Sequence, residues 1–239
     1  MVEYSHESPR TLAVDIGGSG IKMMVLDPAG EPITERMRVP TPQPAKPEPV
    51  IDALTELATK QGDFERVSVG FPGVVVRGVT KTAVNLHPDW EDLNFADTLS
   101  KKLEKPVRVA NDADIQGLGA ISGQGVELVL TLGTGIGTAL FLNGQLVPNL
   151  EGGHHPFRKG ETYEEQLGNA ALEKISKPKW NRRLEKALET LQRVLNCDRI
   201  YLGGGNTKKI EFELPKFVEV VPNITGILGG IRLWDIDLR

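Results

Sequence analysis

Apolar positions along this chain fall into two patterns: short unbroken runs, as in buried strands, and stripes at three- and four-residue spacing, as in amphipathic helices. Leu12–Ile16 and the run "IKMMVLD" predict two strands flanking a "GGSG" turn, and "DPAGEP" closes the second with turn residues. Five prolines between Pro40 and Pro49 predict an extended, exposed segment. A helix is predicted from about Pro49, with Val50, Leu54, Leu57 and Ala58 on one face. "RVSVGFPGVV" reads as a buried strand running into a Pro-Gly turn, "DLNFADTLSKKLEKP" as a helix, "VRVANDAD" as a strand ending on polar residues, and "DIQGLGAISG" as helical. Then the opening pattern returns: "VELVLTLGTGIGTALFLNGQLV" is strand, glycine turn and strand, closed by an Asn-Gly hairpin turn. Leu184, Leu188, Leu191 and Leu195 line a long amphipathic helix. "RIYLGGGNTKK" and "KFVEVVPN" predict two more strands, and "ITGILGGIRLW" a short helix interrupted by glycine. This mixed order of strands and helices predicts an α/β protein that uses one glycine-turn device twice.

Composition narrows the classes. The chain has 239 residues, 39% hydrophobic and 25% charged, as in ordinary globular proteins. A formal net charge of −4 argues against a general nucleic-acid binder. A single cysteine, Cys197, excludes an internal disulfide and a cysteine zinc cluster. With no long apolar run and no signal-like N-terminus, a cytoplasmic protein with no membrane partner is expected. Residues 1–11 read as a flexible leader.

Four motif contexts carry candidate chemistry. The "GTGIGT" run is followed by an apolar strand rather than a helix, so it fails as a dinucleotide fingerprint. No Gly-x-x-x-x-Gly-Lys-Ser/Thr is present, which excludes a P-loop. What remains is a pair of glycine hairpins, and two of them favour phosphate binding through exposed backbone N–H groups over a purely structural turn. Asp15 stands at the entrance of the first, where a carboxylate can hold Mg²⁺ through water. Lys22 follows that turn, as a phosphate partner or a solvated strand residue. Thr131 and Thr134 add hydroxyls at the second turn, or simply β propensity. In "VANDAD", Asn111 can bind a hydroxylated ligand and Asp112 can accept a proton from a substrate hydroxyl, while Asp114 suits a helix cap. Glu151 and His154, across two glycines, can chelate a metal or hydrogen-bond neighbouring sugar hydroxyls; with no cysteine nearby metal is the weaker case, and His155 leaves open which ring points inward. "YLGGGN" offers bare backbone to a flat ring or a phosphate, or makes a plain strand-to-helix turn.

In this order the motifs resemble the ROK family of sugar kinases, within the actin–hexokinase superfamily. They are Asp-x-Gly-Gly-Ser, Pro-Gly after a strand, Ala-Asn-Asp-Ala, Gly-Thr-Gly-x-Gly, Glu-Gly-Gly-His and a late Gly-Gly-Gly, from about Leu12 to Trp234. "VGFPGVV" and "GTGIGTALFLNGQLVPNLEGGH" resemble the branch that takes its phosphoryl group from inorganic polyphosphate. The resemblance implies a two-domain actin-like (ribonuclease H-like) α/β fold, each domain a five-stranded mixed sheet flanked by helices, with the active-site cleft between. The expected domains are residues 12–114 and a larger 115–239, with a last helix at about 224–235 packing back on the first.

It implies roles as well. Asp112 is the base for the sugar 6-hydroxyl, and Asn85, Asn111, Glu151, His154 and Glu164 bind the sugar. Glu164 is preferred to Glu165 by counting back from Gly168. Asp15, Gly17, Gly18, Ser19, Gly20 and Lys22, with Gly133, Thr134, Gly135 and Gly137, hold the Mg²⁺-bound phosphates. Gly203, Gly204 and Gly205 form the nucleotide or far-donor end. The implied reaction moves a terminal phosphoryl group from polyphosphate, and also from ATP, to glucose. An ATP-dependent hexokinase and a non-catalytic sugar sensor are the alternatives. A homodimer is implied. The stretch "PFRKGETYEEQLG" lacks the cysteines of zinc-bearing members, so no structural zinc is expected. Three basic clusters, in "SKKLEKPVR", "KPKWNRR" and Lys208–Lys209, are candidates for a polyphosphate track or ordinary solvated faces.

Overall fold

The computed structural model describes residues 9–83, 86–222 and 224–236. The chain divides into two units, one holding the chain up to Asp112 together with the segment from Ile227, the other Ala113–Gly226. The division falls two residues before the expected 114/115 boundary. Most of the expected leader lies outside the described residues, and the first strand already begins at Thr11, which is fully buried.

In the first unit, β1 (Thr11–Gly17) and β2 (Gly20–Leu26) form the predicted hairpin, and β3 (Met37–Val39) follows. Helix α1 (Pro47–Ala58) starts with proline where no N–H partner is needed, and buries Val50, Ile51, Leu54, Leu57 and Ala58. After it come β4 (Arg66–Phe71), the small ribbon β5 (Val75–Val76) and β6 (Val79–Thr80), α2 (Phe95–Leu103), and β7 (Val107–Asn111). Asn94 caps α2 by accepting the Asp97 N–H at 3.1 Å. The sheet order is β3-β2-β1-β4-β7, with β1, β4 and β7 parallel. Its core includes Phe71, Trp90 and Phe95, whose rings meet at centroid distances of 4.9–5.9 Å.

Helix α3 (Asp112–Ala120) begins where the first unit ends. The second unit continues with β8 (Val126–Leu132), β9 (Ile136–Leu142), β10 (Gln145–Val147), and the short pair β11 (Pro156–Arg158) and β12 (Glu161–Thr162). Then come α4 (Tyr163–Leu167), α5 (Asn169–Lys174), α6 (Lys177–Leu195), β13 (Arg199–Gly203) and β14 (Val218–Val220). The sheet order β10-β9-β8-β13-β14 repeats that of the first unit position for position. The sequence shows the duplication as two glycine hairpins; the structure extends it to whole five-stranded sheets. Along α6, Trp180, Leu184 and Leu188 are fully buried, while Leu191 and Leu195 are partly buried against the same core. The C-terminal segment carries α7 (Thr225–Leu228) and a 3₁₀ turn at Arg232–Trp234, so the expected helix is broken at its glycines. In the first unit, Trp234 Nε1 donates to Ser68 Oγ at 2.8 Å, and Ser68 Oγ donates to Gly230 O at 2.6 Å.

Candidate active site

In each unit the glycine turns and polar motifs leave the carboxyl ends of parallel strands, where α/β sheets commonly bind ligands. In the first unit these are the ends of β1 at Gly17, β4 at Phe71 and β7 at Asn111.

Gly17 and Gly20 pair across β1 and β2, which leaves Gly18 and Ser19 as a two-residue turn. All three carbonyls before the Gly20 N–H are held from one side. Gly17 O accepts Thr41 Oγ1 at 2.6 Å, Gly18 O accepts Gln43 Nε2 at 3.3 Å, and Ser19 O accepts Arg38 Nη2 at 3.1 Å. The N–H groups of Gly18 and Ser19 have no acceptor among the described residues. A turn held by its oxygens with its N–H groups unclaimed is an anion-binding nest. A Cβ at Gly20 would lie 2.6 Å from Arg38 Nε, so a side chain there would push the guanidinium away from the turn.

Asp15, Lys22 and Arg38 stand opposite one another across β1, β2 and β3, and therefore on one face. Lys22 Nζ lies 2.8 Å from Asp15 Oδ2, both part-buried. Lys22 thus pairs with Asp15 and stands in the middle of a charge row that ends at Arg38. Sequence reasoning missed Arg38, Thr41 and Gln43. The pairing of Arg38 with Lys22 becomes visible only once β3 is registered on β2.

Asn111 ends β7, and its Nδ2 donates to Gly73 O at 3.1 Å, tying it to the Pro-Gly turn after β4. Asp112 opens α3, where the helix N-terminus favours a carboxylate anion. Gly70 lies beside it, since a Cβ there would sit 3.5 Å from Asp112 Cα. Asp114 is not the cap expected of it: α3 begins at Asp112, so Asp114 falls inside the first turn and is buried. Asn85 lies outside the described residues.

In the second unit, Gly133, Thr134 and Gly135 link β8 and β9. Their oxygens are also held: Gly133 O accepts the Asn169 N–H at 3.1 Å and Asn206 Nδ2 at 3.1 Å, and Thr134 O accepts Asn169 N–H at 3.2 Å. The N–H groups of Thr134 and Gly135 have no acceptor among the described residues. The two hairpins therefore share a design, with side chains and amides from remote segments fixing the oxygens. Gly137 lies within β9 and donates its N–H to Thr131 Oγ1 at 3.1 Å, which uses the Thr131 hydroxyl inside the hairpin.

Glu164 is the carboxylate that reaches this turn. Its Oε2 accepts the Ile136 N–H at 3.0 Å, and a Cβ on Gly135 would collide with it. Glu165 instead closes a capping box with Thr162, accepting its N–H at 2.8 Å, which holds the Glu165 carboxyl below its ordinary pKa. Gly204 has φ +89 and lies against the Leu132 backbone, while Gly205 faces open space. The Gly203–Gly205 turn and Asn206 thus sit against the second glycine hairpin.

Glu151 precedes and His154 ends a 3₁₀ turn (Gly152–His154), with His154 Nδ1 3.8 Å from Glu151 Oε2 and both side chains exposed. Gly153 is required there, because a Cβ would run into the Ile136 carbonyl. His155 turns away: its Nδ1 lies 2.9 Å from Pro156 O and its ring 6.3 Å from Tyr163. Among the described residues no group of three or more His, Cys, Asp or Glu side chains is placed to hold a metal, and no helix is long and apolar enough to cross a membrane.

Known proteins resemble this chain in sequence and fold. The sequence pattern of the ROK family matches residues 11–157. The polyphosphate glucokinase of Mycobacterium tuberculosis is 35% identical over 234 residues, covering 91% of this chain and 88% of that protein. The inorganic polyphosphate/ATP-glucomannokinase of Arthrobacter sp. strain KM superposes with a TM-score of 0.83 at 33% identity, covering 93% of this chain and 96% of its own. A ROK family glucokinase from Streptomyces griseus, solved with glucose and AMPPNP, shares the fold at 20% identity, with a TM-score of 0.78 and coverage of 94% and 98%.

Proposed function

The chain belongs to the ROK family, and from that premise we propose that it is a glucokinase moving the terminal phosphoryl group of inorganic polyphosphate to the 6-hydroxyl of glucose. The observation that carries this reading is the pair of glycine hairpins, each with its oxygens held and its turn N–H groups unclaimed. Each nest, taken by itself, suits a phosphate group of an anionic donor. ATP is the second donor, supported by the resemblance to a polyphosphate/ATP enzyme and by the Gly203–Gly205 turn beside the second hairpin.

Asp112 accepts the proton of the 6-hydroxyl as that oxygen attacks in line. Asn111, tied to Gly73, keeps the strand end fixed beside it. Glu151 and His154 bind sugar hydroxyls, with Glu164 and Asn85 as further sugar ligands. On the donor side, Gly17, Gly18, Ser19 and Gly20 cradle phosphate, with Lys22 and Arg38 supplying positive charge, and Gly133, Thr134 and Gly135 do the same in the second unit.

The chemistry of the first nest fits Mg²⁺: a single carboxylate, Asp15, stands beside unclaimed backbone donors, and magnesium is held mainly by water and phosphate oxygens. When bound, Mg²⁺ would neutralise charge on the phosphates. Dimer formation, as in the sequence expectation, is part of the proposal. Initial rates of glucose phosphorylation with Mg²⁺, measured against long-chain polyphosphate and ATP at matched phosphate, test the reading. Turnover with polyphosphate supports it, ATP-only turnover makes the chain a nucleotide-dependent hexokinase, and sugar binding without turnover makes it a sensor.

A further inference from the structure

The second unit contains an open groove of about 570 Å³ away from the residues assigned above. Its charged lining is entirely cationic: Arg158 from β11 and Lys179, Arg182, Arg183 and Lys186 from α6, over the ring of Phe157. On α6 these fall at helical spacing, so they form one stripe, running roughly 10 Å from Lys179 to Lys186 at 1.5 Å per residue. Like charges are rarely gathered this way without a counter-charge, because each repels the next. Arg158, Lys179 and Arg182 form no ion pair among the described residues, and Lys186 has only a 3.5 Å contact to Glu189.

Arg183 shows the strain of the arrangement. Burial and the neighbouring Arg158 lower its pKa, with Glu161 as the opposing influence, and its buried Nε has no hydrogen-bond partner among the described residues. The Lys101–Lys102 pair on α2 differs. Lys101 and Lys102 are neutralised by Asp97 and Asp52 at 2.7 and 2.6 Å.

The groove is joined to the second glycine hairpin by short steps. Arg183 Nη1 donates to Gln166 O at 3.2 Å in α4, and α4 carries Glu164, whose carboxylate holds Ile136 at the hairpin. We propose that this groove holds the trailing phosphates of the polyphosphate donor, as an extended polyanion subsite of the second unit; the assignment rests on the donor reading above. An extended chain fits better than a single phosphate because the cations are strung along a helix rather than converging on one point. Guanidinium groups suit phosphate oxygens through paired N–H donors.

The test compares wild type with the double variant Arg182→Gln, Lys186→Gln, both exposed positions, and with a control, Lys101→Gln, Lys102→Gln, that removes the same charge from α2. KM and kcat are measured with long-chain polyphosphate, tripolyphosphate and ATP, and equilibrium binding of long-chain polyphosphate is measured separately. The double variant should raise KM for the long chain roughly tenfold or more and weaken binding in parallel. KM for tripolyphosphate and ATP, and kcat, should stay within about twofold, and the control should resemble wild type. A long-chain KM unchanged in the double variant overturns the subsite, as does an equal rise for all three donors. Displacement of the long chain by orthophosphate at matched concentration would indicate a single-anion site and also overturn it. If wild type phosphorylates glucose from ATP alone, the donor reading falls, and equal polyphosphate binding by wild type and double variant would then dismiss the groove as well.

Discussion

Removing the Glu164 carboxylate should loosen the second phosphate turn without unfolding the protein. In the structure Oε2 takes the Ile136 N–H at 3.0 Å, at the point where the Gly133–Gly135 turn re-enters β9. Hydrogen bonds to a charged group contribute about 1.5–3 kcal/mol. Glu164 is only part-buried, so the lower end applies, about 1.5 kcal/mol, or a little over tenfold in an equilibrium. Glu164→Ala should therefore raise the donor KM about tenfold at saturating glucose. Glu164→Gln keeps an oxygen that can accept the same N–H and loses only the charge. It should lie between the two, at about three- to fivefold. The assay is coupled detection of glucose 6-phosphate across a donor titration, repeated across a glucose titration to register any role at the sugar. Thermal midpoints of both variants within a few degrees of wild type would confirm a local effect. Identical donor KM values for wild type and Glu164→Ala would refute the buttressing role.

Other consequences are as direct. Asp112→Asn should cut kcat by roughly 10²–10⁴ while leaving glucose affinity by calorimetry within a few fold. Gly204→Ala forces a side chain into φ +89 and against the Leu132 backbone, so it should lower stability by about 1–3 kcal/mol in denaturant titration and raise the ATP KM. Burial pushes the Glu127 carboxyl up, but bonds from Ser122, Gly123 and Tyr201 outweigh it and hold the pKa below the ordinary value. A folded pKa below the unfolded one gives stability that is full above the unfolded value and lost as pH falls through the folded one. Thermal melts of wild type should thus decline on acidification below about pH 4.5 more steeply than those of Glu127→Gln, which starts lower at neutral pH. Trp234→Ala removes a ring lying 4.9 and 4.7 Å from the Arg66 and Arg108 guanidinium carbons, together with its bond to Ser68, and should cost about 2–4 kcal/mol in the same titration.

The glycine hairpins and the long helices were legible because their signals are local: glycine spacing, turn dipeptides and apolar stripes. The supports of those hairpins were not. Thr41, Gln43, Asn169 and Asn206 are ordinary polar residues that reach the turns from 24 to 73 positions away, where no local pattern marks them. Arg38 sits in a three-residue strand too short to announce its partner. Helices α4 and α5, of five and six residues, are shorter than a periodic stripe needs and went unpredicted. One signal was available and unused: Thr162 and Glu165 have capping-box spacing, which assigns Glu165 to the helix start and leaves Glu164 for the turn. Asp114 was misread as a cap because Asn and Asp crowd the start of α3, and the helix begins three residues sooner than a cap at Asp114 would place it.

The central claim is phosphoryl transfer from polyphosphate to the glucose 6-hydroxyl, with Asp112 as base. Phosphorus NMR of the protein with long-chain polyphosphate, glucose and Mg²⁺ reads it directly. A phosphomonoester signal of glucose 6-phosphate should grow as chain-end signals shift, and should be absent from the Asp112→Ala variant. No phosphomonoester with wild type, or equal formation with Asp112→Ala, would contradict it.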